Sequence, residues 1–342
     1  MQDLIARCHA GLDVASLHSE LVERLPDLLA VDAVFVASVD PATLLFTGAV
    51  LREIPPEATP QFLANEFLTD DVNKFRSLAG RRFPVDWLDR ATGRRRSRSA
   101  RYREIMAPLG LGDELRAAFR SAGQCWGFIC LHREDAEAGF TEAEARLLGR
   151  LAGHVGDGLR HALLVGAAAS EDEEGPGVLV LGDGSTLVAT TPAADRWLWE
   201  LSDPDQPADR LPIAVEAVLA RLEAVHADAR PTVRVRTRSG RWAVLHASEM
   251  GGLGEGRHVA VVVERAKPAE LAPMILLAHG LTAREAEVAG LALQGKPTKA
   301  VARELRITEH TVEDHLKAIF RKVGVASRGE LTATIFSEHY AR

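Results

Sequence analysis

The chain has 342 residues, 46% of them hydrophobic and 26% charged, the composition of ordinary globular protein with length for two or three domains. Its net charge is −7, yet residues 281–342 hold ten Lys and Arg against eight Asp and Glu, so the acidic balance lies in the remainder. Three widely spaced cysteines, Cys8, Cys125 and Cys130, argue against a disulfide framework and for a reducing cytoplasm; no run of about twenty apolar residues and no basic-then-apolar leader suggests a membrane partner.

In chain order, Leu12 to Leu29 reads as a helix with a stripe of Leu17, Leu21, Leu25, Leu28 and Leu29, which Pro26 kinks or ends. Ala33 to Val39 is strand-like, Asp40-Pro41 turns, and Thr43 to Leu51 forms a second strand. Residues 55–103 hold a helical piece, Gln61 to Leu68, and the basic run Arg94 to Arg101. That run reads as a solvated loop, with contact to DNA or an acidic partner as the alternative. Asp113 to Ser121 and Gln124 to His132 form a hairpin through Ala122-Gly123. Cys125 and Cys130 fall on opposite faces of the second strand and read as buried inert thiols. Cys130 with His132 begins a metal site that no second pair completes. Trp126 and Phe128 read as core. A capping box, Thr141 with Glu144, opens a long helix to about Val165, striped by Leu147, Leu151, Val155, Leu159 and Ala162.

This layout, and the segment GDELRAAFRSAGQCWGFICLHR followed by FTEAEARLLGRLAGHVGDGL, resembles a GAF domain over residues 1–166. The resemblance implies a small-molecule pocket between the sheet and the helical middle, and dimerisation through terminal helices. No residue identifies a ligand, and the cofactor is unknown.

An acidic stretch at 170–176 marks a boundary. Val178 to Asp183 reads strand then turn, and Thr186 to Thr190 as a second strand. Thr191-Pro192 opens a helix carrying Trp197, Leu198 and Leu201. A helix over 211–227, a hairpin of Thr232 to Thr237 with Trp242 to Glu249, and a strand from His258 to Glu264 follow. The stretch GVLVLGDGSTLVATTPAADRWL resembles the opening of a PAS domain, here 177–264, whose short helical part suits a dimerisation or relay module. Residues 265–278 form a link, helical from Met274 to His279.

Residues 281–336 spell four helices. Thr282 with Glu285 and Ser327 with Glu330 are capping boxes, Thr298 and Thr308 are N-caps, and Gly295 and Gly324 suit left-handed C-caps. The third helix sets Val312, Leu316, Ile319, Phe320 and Val323 on one side. His310, Glu313, Asp314, Lys317 and Arg321 lie on the other. Two helices joined by a tight turn, the second polar outward, suit a major groove. A plain bundle with a solvated face suits the same pattern.

The motifs Leu281-Thr282-x-Arg284-Glu285, Gly295, Ala302, Leu305, Ile307-Thr308, Thr311-Val312-x-x-His315 and Lys322-Val323-Gly324-Val325-x-Ser327-Arg328 resemble the LuxR-type helix-turn-helix of bacterial transcription factors. The resemblance implies a DNA-binding domain over 274–342 with Thr298 to Lys317 as the reading unit. Its base-edge positions fall on Glu313, Asp314 and Lys317. Helix starts and basic residues, here Thr298, Lys299, Thr308, His310, Thr311, Arg321 and Lys322, complete the candidate contacts. Glu313 and Asp314 depart from the basic or apolar residues many members carry there; carboxylates repel phosphate but accept from cytosine N4.

The expected fold is therefore multidomain α+β: a GAF-like unit, a PAS-like unit and an all-α four-helix reader. The resemblances imply a homodimeric, sequence-specific transcriptional regulator of double-stranded DNA whose sensory units respond to a small-molecule effector, with RNA polymerase as a further candidate partner. The alternative is a constitutive DNA binder whose front units serve dimerisation and protein interaction. No Walker lysine loop, zinc-protease motif or phosphoacceptor set is present, so an enzyme is not expected.

Overall fold

The computed structural model describes residues 1–135, 138–164, 175–203, 210–224, 230–251 and 256–337. Its first part runs α1 (Gln2–Cys8), α2 (Val14–Leu29), β1 (Ala33–Val39), β2 (Phe46–Arg52), α3 (Thr59–Leu68), α4 (Phe75–Gly80), β3 (Val85–Trp87), α5 (Leu88–Thr92), β4 (Leu111–Ser121), β5 (Gln124–Glu134) and α6 (Glu142–Ala162). The second runs β6 (Gly177–Leu181), β7 (Leu187–Thr190), α7 (Pro192–Leu201), α8 (Ile213–Glu223), β8 (Thr232–Arg236), β9 (Trp242–Met250) and β10 (His258–Arg265). The third is helical: α9 (Pro268–Ala278), α10 (Ala283–Leu293), α11 (Thr298–Leu305), α12 (Glu309–Val323) and α13 (Arg328–Ser337).

The first sheet has the order β2-β1-β5-β4-β3, with every described pairing antiparallel. One face is covered by α1, α2 and α6, where Leu21, Leu25, Leu151 and Val155 meet Val34, Val36, Ile129 and Leu131. Helix α1, not expected from the sequence, crosses α6 at Gly158, where a Cβ would stand 2.6 Å from the Cys8 carbonyl oxygen. Helix α2 starts at Asp13, whose carboxylate accepts from Ser16 N–H at 2.7 Å. Pro26 neither ends nor interrupts it before Leu29. The proline has no N–H for the Val22 carbonyl, and Arg52 Nη1 donates to that oxygen instead, at 3.2 Å. Ala122 and Gly123 take φ of 49° and 79°, the left-handed pair of a tight hairpin.

Two expectations for this sheet are corrected. Cys125 and Cys130 do not face opposite ways. A bulge leaves Trp126 unpaired between Cys125, opposite Arg120, and Gly127, opposite Phe119. One extra residue reverses the alternation, so both thiols join one cluster while Trp126 joins the helix-covered face. Both are free and buried; burial pushes Cys125 up to about 12 and Cys130 up as well. The stripe of α6 also buries Leu148 more deeply than Leu147.

The basic run is not simply a solvated loop. Arg94, Arg95 and Arg98 are exposed, but Arg96 pairs with Asp89 at 2.8 Å and Asp135 at 2.9 Å. Arg101 is fully buried. Its guanidinium meets Glu114 at 2.6 Å and Asn65 at 3.1 Å, and its backbone N–H donates to Asp71 at 2.7 Å. Arg116 bridges Glu66 at 2.8 Å and Glu114 at 2.9 Å. This network bolts α3 and the loop after it to the open face of the sheet.

The second sheet has the order β7-β6-β10-β9-β8, the same as the first in its own strand sequence. Helices α7 and α8 cover one face through Trp197, Ala214, Val218 and Leu222. Helix α8 also packs on α3 and β2, so one apolar cluster runs through both units. The other face turns Trp242 and Val244 toward α9. That helix is longer than the expected 274–279, and its Leu271, Met274 and Ile275 join the core of α10–α13. The boundary read at 170–176 and the end of the helix expected at 227 fall largely outside the described residues. Among the described residues, no helix is long and apolar enough to cross a membrane.

Burial alone would raise the Glu114 carboxyl, but Arg101, then Arg116 and His132, outweigh it and hold it well below the usual range. A depressed carboxylate stabilises the fold above its unfolded pKa, ~4.3, and that contribution is lost as pH falls. Arg101→Met should therefore cost about 3–5 kcal/mol in urea unfolding at neutral pH, and the deficit should shrink in acid. An equal deficit at all pH values would contradict the charge argument.

Candidate nucleic-acid interface and sensory cavity

Helices α11 and α12 meet through a turn that local chemistry specifies. Arg306 takes φ 54° and ψ 46° as a left-handed cap, and Ile307 N–H returns to the Ala302 carbonyl at 3.0 Å. Thr308 caps α12, accepting from Thr311 N–H at 3.1 Å, and the two hydroxyls lie 2.8 Å apart. Val301 and Ala302 of α11 and Val312, Leu316 and Ile319 of α12 are buried together. Gly324 ends α12 at φ 81°.

The opposite side of α12 faces solvent. His310, Asp314 and Lys317 keep 80%, 57% and 72% of their side-chain surface, and Glu313 and Arg321 are exposed. Asp314 stands between His310 and Lys317, 3.6 Å from His310 Nε2 and 3.3 Å from Lys317 Nζ. Its negative charge is thus partly matched on the helix itself. Glu313 and Arg321 form no ion pair among the described residues. Lys299 is exposed on α11 and Thr311 is half-buried.

Two candidates are engaged elsewhere. Thr298 is the first residue of α11 and not its N-cap, a position Pro297 holds. Its hydroxyl accepts from Arg328 Nη2 at 2.8 Å, and Arg328 Nη1 donates to the Lys296 carbonyl at 2.8 Å. Lys322 turns inward, its ammonium donating to Glu285 at 2.6 Å and the Gly280 carbonyl at 3.1 Å. Glu285 is also the return arm of the Thr282 capping box, so Lys322 ties the end of α12 to the start of α10. Arg303 and Arg306 are exposed cations beside the turn that the sequence reading passed over. A basic residue in a two-residue interhelical turn was the available signal.

The front of the chain holds a narrow cavity between the first sheet and its helical middle. Phe35, Phe46, Phe62 and Phe75 supply aromatic walls, and Ile213 of α8 closes it from the second unit. Phe75 stacks on Phe128 at 4.4 Å, and the Arg116 guanidinium lies 4.4 Å from the Phe75 ring centre. His132 lines the cavity; burial pushes its pKa down to about 4, and its Nδ1 has no hydrogen-bond partner. Glu114, on the neighbouring strand opposite His132, brings a third donor within 4.8 Å of Cys130 and His132. Arg101 and Arg116 already pair with that carboxylate, and two guanidiniums oppose a cation there. The trio does not fit a metal.

Comparison with known proteins bears on both places. Residues 279–335 match the family described as bacterial regulatory proteins, luxR family, and residues 13–159 match the GAF domain. Spore germination protein GerE of Bacillus subtilis (strain 168) is 46% identical over 50 residues, 15% of this chain and 68% of that protein. Nitrate/nitrite response regulator protein NarL of Escherichia coli (strain K12) is 41% identical over 58 residues, 17% of this chain and 27% of that protein. The chain therefore spans about a quarter of the length of relatives such as NarL. Among solved structures, Escherichia coli SdiA covers 99% of this chain and 96% of its own at 12% identity. Its TM-score of 0.36 is too low to bear on the arrangement here.

Lys322→Ala should loosen the joint between α12 and α10, costing about 1 kcal/mol and speeding hydrogen exchange at the first amides of α10. Arg321→Ala should leave both unchanged. Equal exchange in the two variants would show that Lys322 holds nothing.

Proposed function

This chain belongs to the luxR family of bacterial regulatory proteins, and on that footing we propose that it binds double-stranded DNA sequence-specifically as a homodimer in the cytoplasm. The supporting observation is the outward side of α12, polar and open to solvent along its length while its other side is packed. In this reading Lys317, Arg321 and Lys299 supply attraction to the duplex. Glu313 accepts from a base edge, and Asp314 sets the direction of Lys317. Thr308 and Thr311 present the start of the helix. Thr298 and Lys322, held inside the bundle, shape the reader without touching DNA. Two such helices dock together only when their half-sites lie about one turn, ~34 Å, apart. RNA polymerase is the partner on which bound protein would act.

The GAF-like unit, residues 1–166, serves as the sensor for a small molecule with an apolar body, taken between the phenylalanines above Arg116 and His132. The PAS-like unit, 177–264, serves as the relay, and 274–342 as the reader. Helix α9 carries the signal. Arg234 of β8 donates to the Glu270 carbonyl in its first turn at 2.9 Å and pairs with Asp40 of the first unit at 2.6 Å. Arg160 of α6 donates to the Ala278 carbonyl at its other end, at 2.6 Å. A shift of α3 or α8 around the cavity would reach α9 through these contacts and alter the spacing of two recognition helices.

Selection of bound duplexes from random DNA tests the reading. Enrichment of two related half-sites is expected, and no enrichment would overturn it. Lys317→Ala should weaken specific binding by ~1–3 kcal/mol, unevenly across operator variants, if it reads a base. If it meets phosphate only, the loss should be uniform and the salt slope should fall by about one. Unchanged affinity would exclude both roles.

A further inference from the structure

A second, larger cleft is separate from the aromatic cavity. It lies where α2 and the β1–β2 edge of the first sheet, strand β8 of the second sheet and Met274 of α9 come together, and holds about 510 Å³ in a space open to solvent. Two arginines on one face of β8 line it and differ in their surroundings. Arg234 is neutralised by Asp40, which accepts from its Nε at 2.8 Å and its Nη2 at 2.6 Å. Arg236, two residues on, meets only neutral acceptors. Its Nη1 donates to the Ala162 carbonyl at 3.0 Å and its Nε to the Gly240 carbonyl at 3.3 Å. Its Nη2 has no partner, and it forms no ion pair among the described residues.

Burial works against the Arg236 charge, and the more distant Asp13 is the carboxylate that offsets it. A half-buried guanidinium with no carboxylate in direct contact favours an anion, and a guanidinium fork matches a carboxylate in two parallel hydrogen bonds. From α2, His18 contributes a buried imidazole, 2% exposed, whose Nε2 has no partner. Burial pushes His18 down to about 4, so the ring is neutral near pH 7. Val39, Val50, Leu159, Trp242 and Met274 give the cleft apolar walls.

We propose that this cleft binds a small organic carboxylate, its acid group on Arg236 and its apolar body against those walls, with His18 as the neutral polar contact. Inorganic phosphate shares the anion chemistry and lacks the body, so it should bind far more weakly. The ligand would touch the first unit, the second sheet and α9 at once, and so would favour the arrangement in which α9 is clasped. That consequence rests on the DNA-binding reading, whereas the binding does not.

The test uses the full chain and a panel of benzoate, hexanoate and indole-3-acetate, with benzamide as the uncharged counterpart of benzoate and inorganic phosphate as the bare anion. Thermal shift and calorimetric titration should show binding of at least one carboxylate. Arg236→Gln should weaken it by about tenfold or more, Arg236→Lys should keep part of it, and benzamide and phosphate should bind poorly. The proposal fails if no carboxylate binds the natural chain better than Arg236→Gln. Binding that survives Arg236→Gln and disappears in Phe62→Trp would place the ligand in the aromatic cavity and also overturn it. Failure of the chain to bind any duplex would sink the regulator reading while leaving these titrations as they stand.

Discussion

Asp40 and Arg234 make the contact on which the arrangement of the three parts depends. The carboxylate is 1% exposed, at the turn that follows β1. It takes both arms of the guanidinium and the backbone N–H of Arg234, at 3.2 Å. A third nitrogen of the same side chain reaches α9. Withdrawing two charges from water is costly, so such a pair adds little net stability over an apolar one of equal volume. Its worth lies in direction. A planar fork that meets two oxygens and a carbonyl admits one mutual placement of sheet, sheet and helix, whereas apolar packing alone tolerates sliding.

The first unit repeats this logic inside itself. Its helical middle does not simply rest on the sheet as a greasy layer. Glu66, Arg101, Glu114 and Arg116 lock it to β4 beneath the aromatic walls of the cavity. Arg116 serves both layers, since it pairs with carboxylates and lies over Phe75. The cavity consequently has a polar floor and apolar walls, one of them Ile213 contributed by α8. The cavity therefore borders the second unit directly. The large cleft on the other side of the second sheet adds a place where the same three parts meet around Arg236, whose guanidinium contacts only carbonyl oxygens.

At the reader, charge is arranged to keep the working surface free. Lys322, Glu285 and Arg328 spend their charges on joints between helices. The groups left outward on α12 are close to balance, with Asp314 beside Lys317. Affinity for DNA would then rest on pairing two readers as much as on the charge of one, because phosphate neutralisation by so few cations is modest.

Much of this was legible from sequence because the interactions that specify it span three or four residues. Thr141 with Glu144, Thr282 with Glu285 and Thr308 with Thr311 are closed within one helical turn, so the starts of α6, α10 and α12 could be read directly. The packed and open sides of α12 follow from helical spacing in the same way. What sequence could not decide depends on partners far along the chain. Arg234 meets Asp40 across 194 positions, Arg101 meets Asn65 across 36, and Lys322 meets Glu285 across 37. The basic run therefore reads as a solvated loop although its last member is sealed inside. The bulge at Trp126 reversed the face of Cys125 because the register with β4, not the alternation along β5, sets it. By itself the sequence determined the GAF-type front unit, the LuxR-type helical unit and the exposed side of the recognition helix, through local backbone and side-chain chemistry. Only the tertiary structure decided which charges are bound inward and which stay free, because burial next to a distant partner has no local signature.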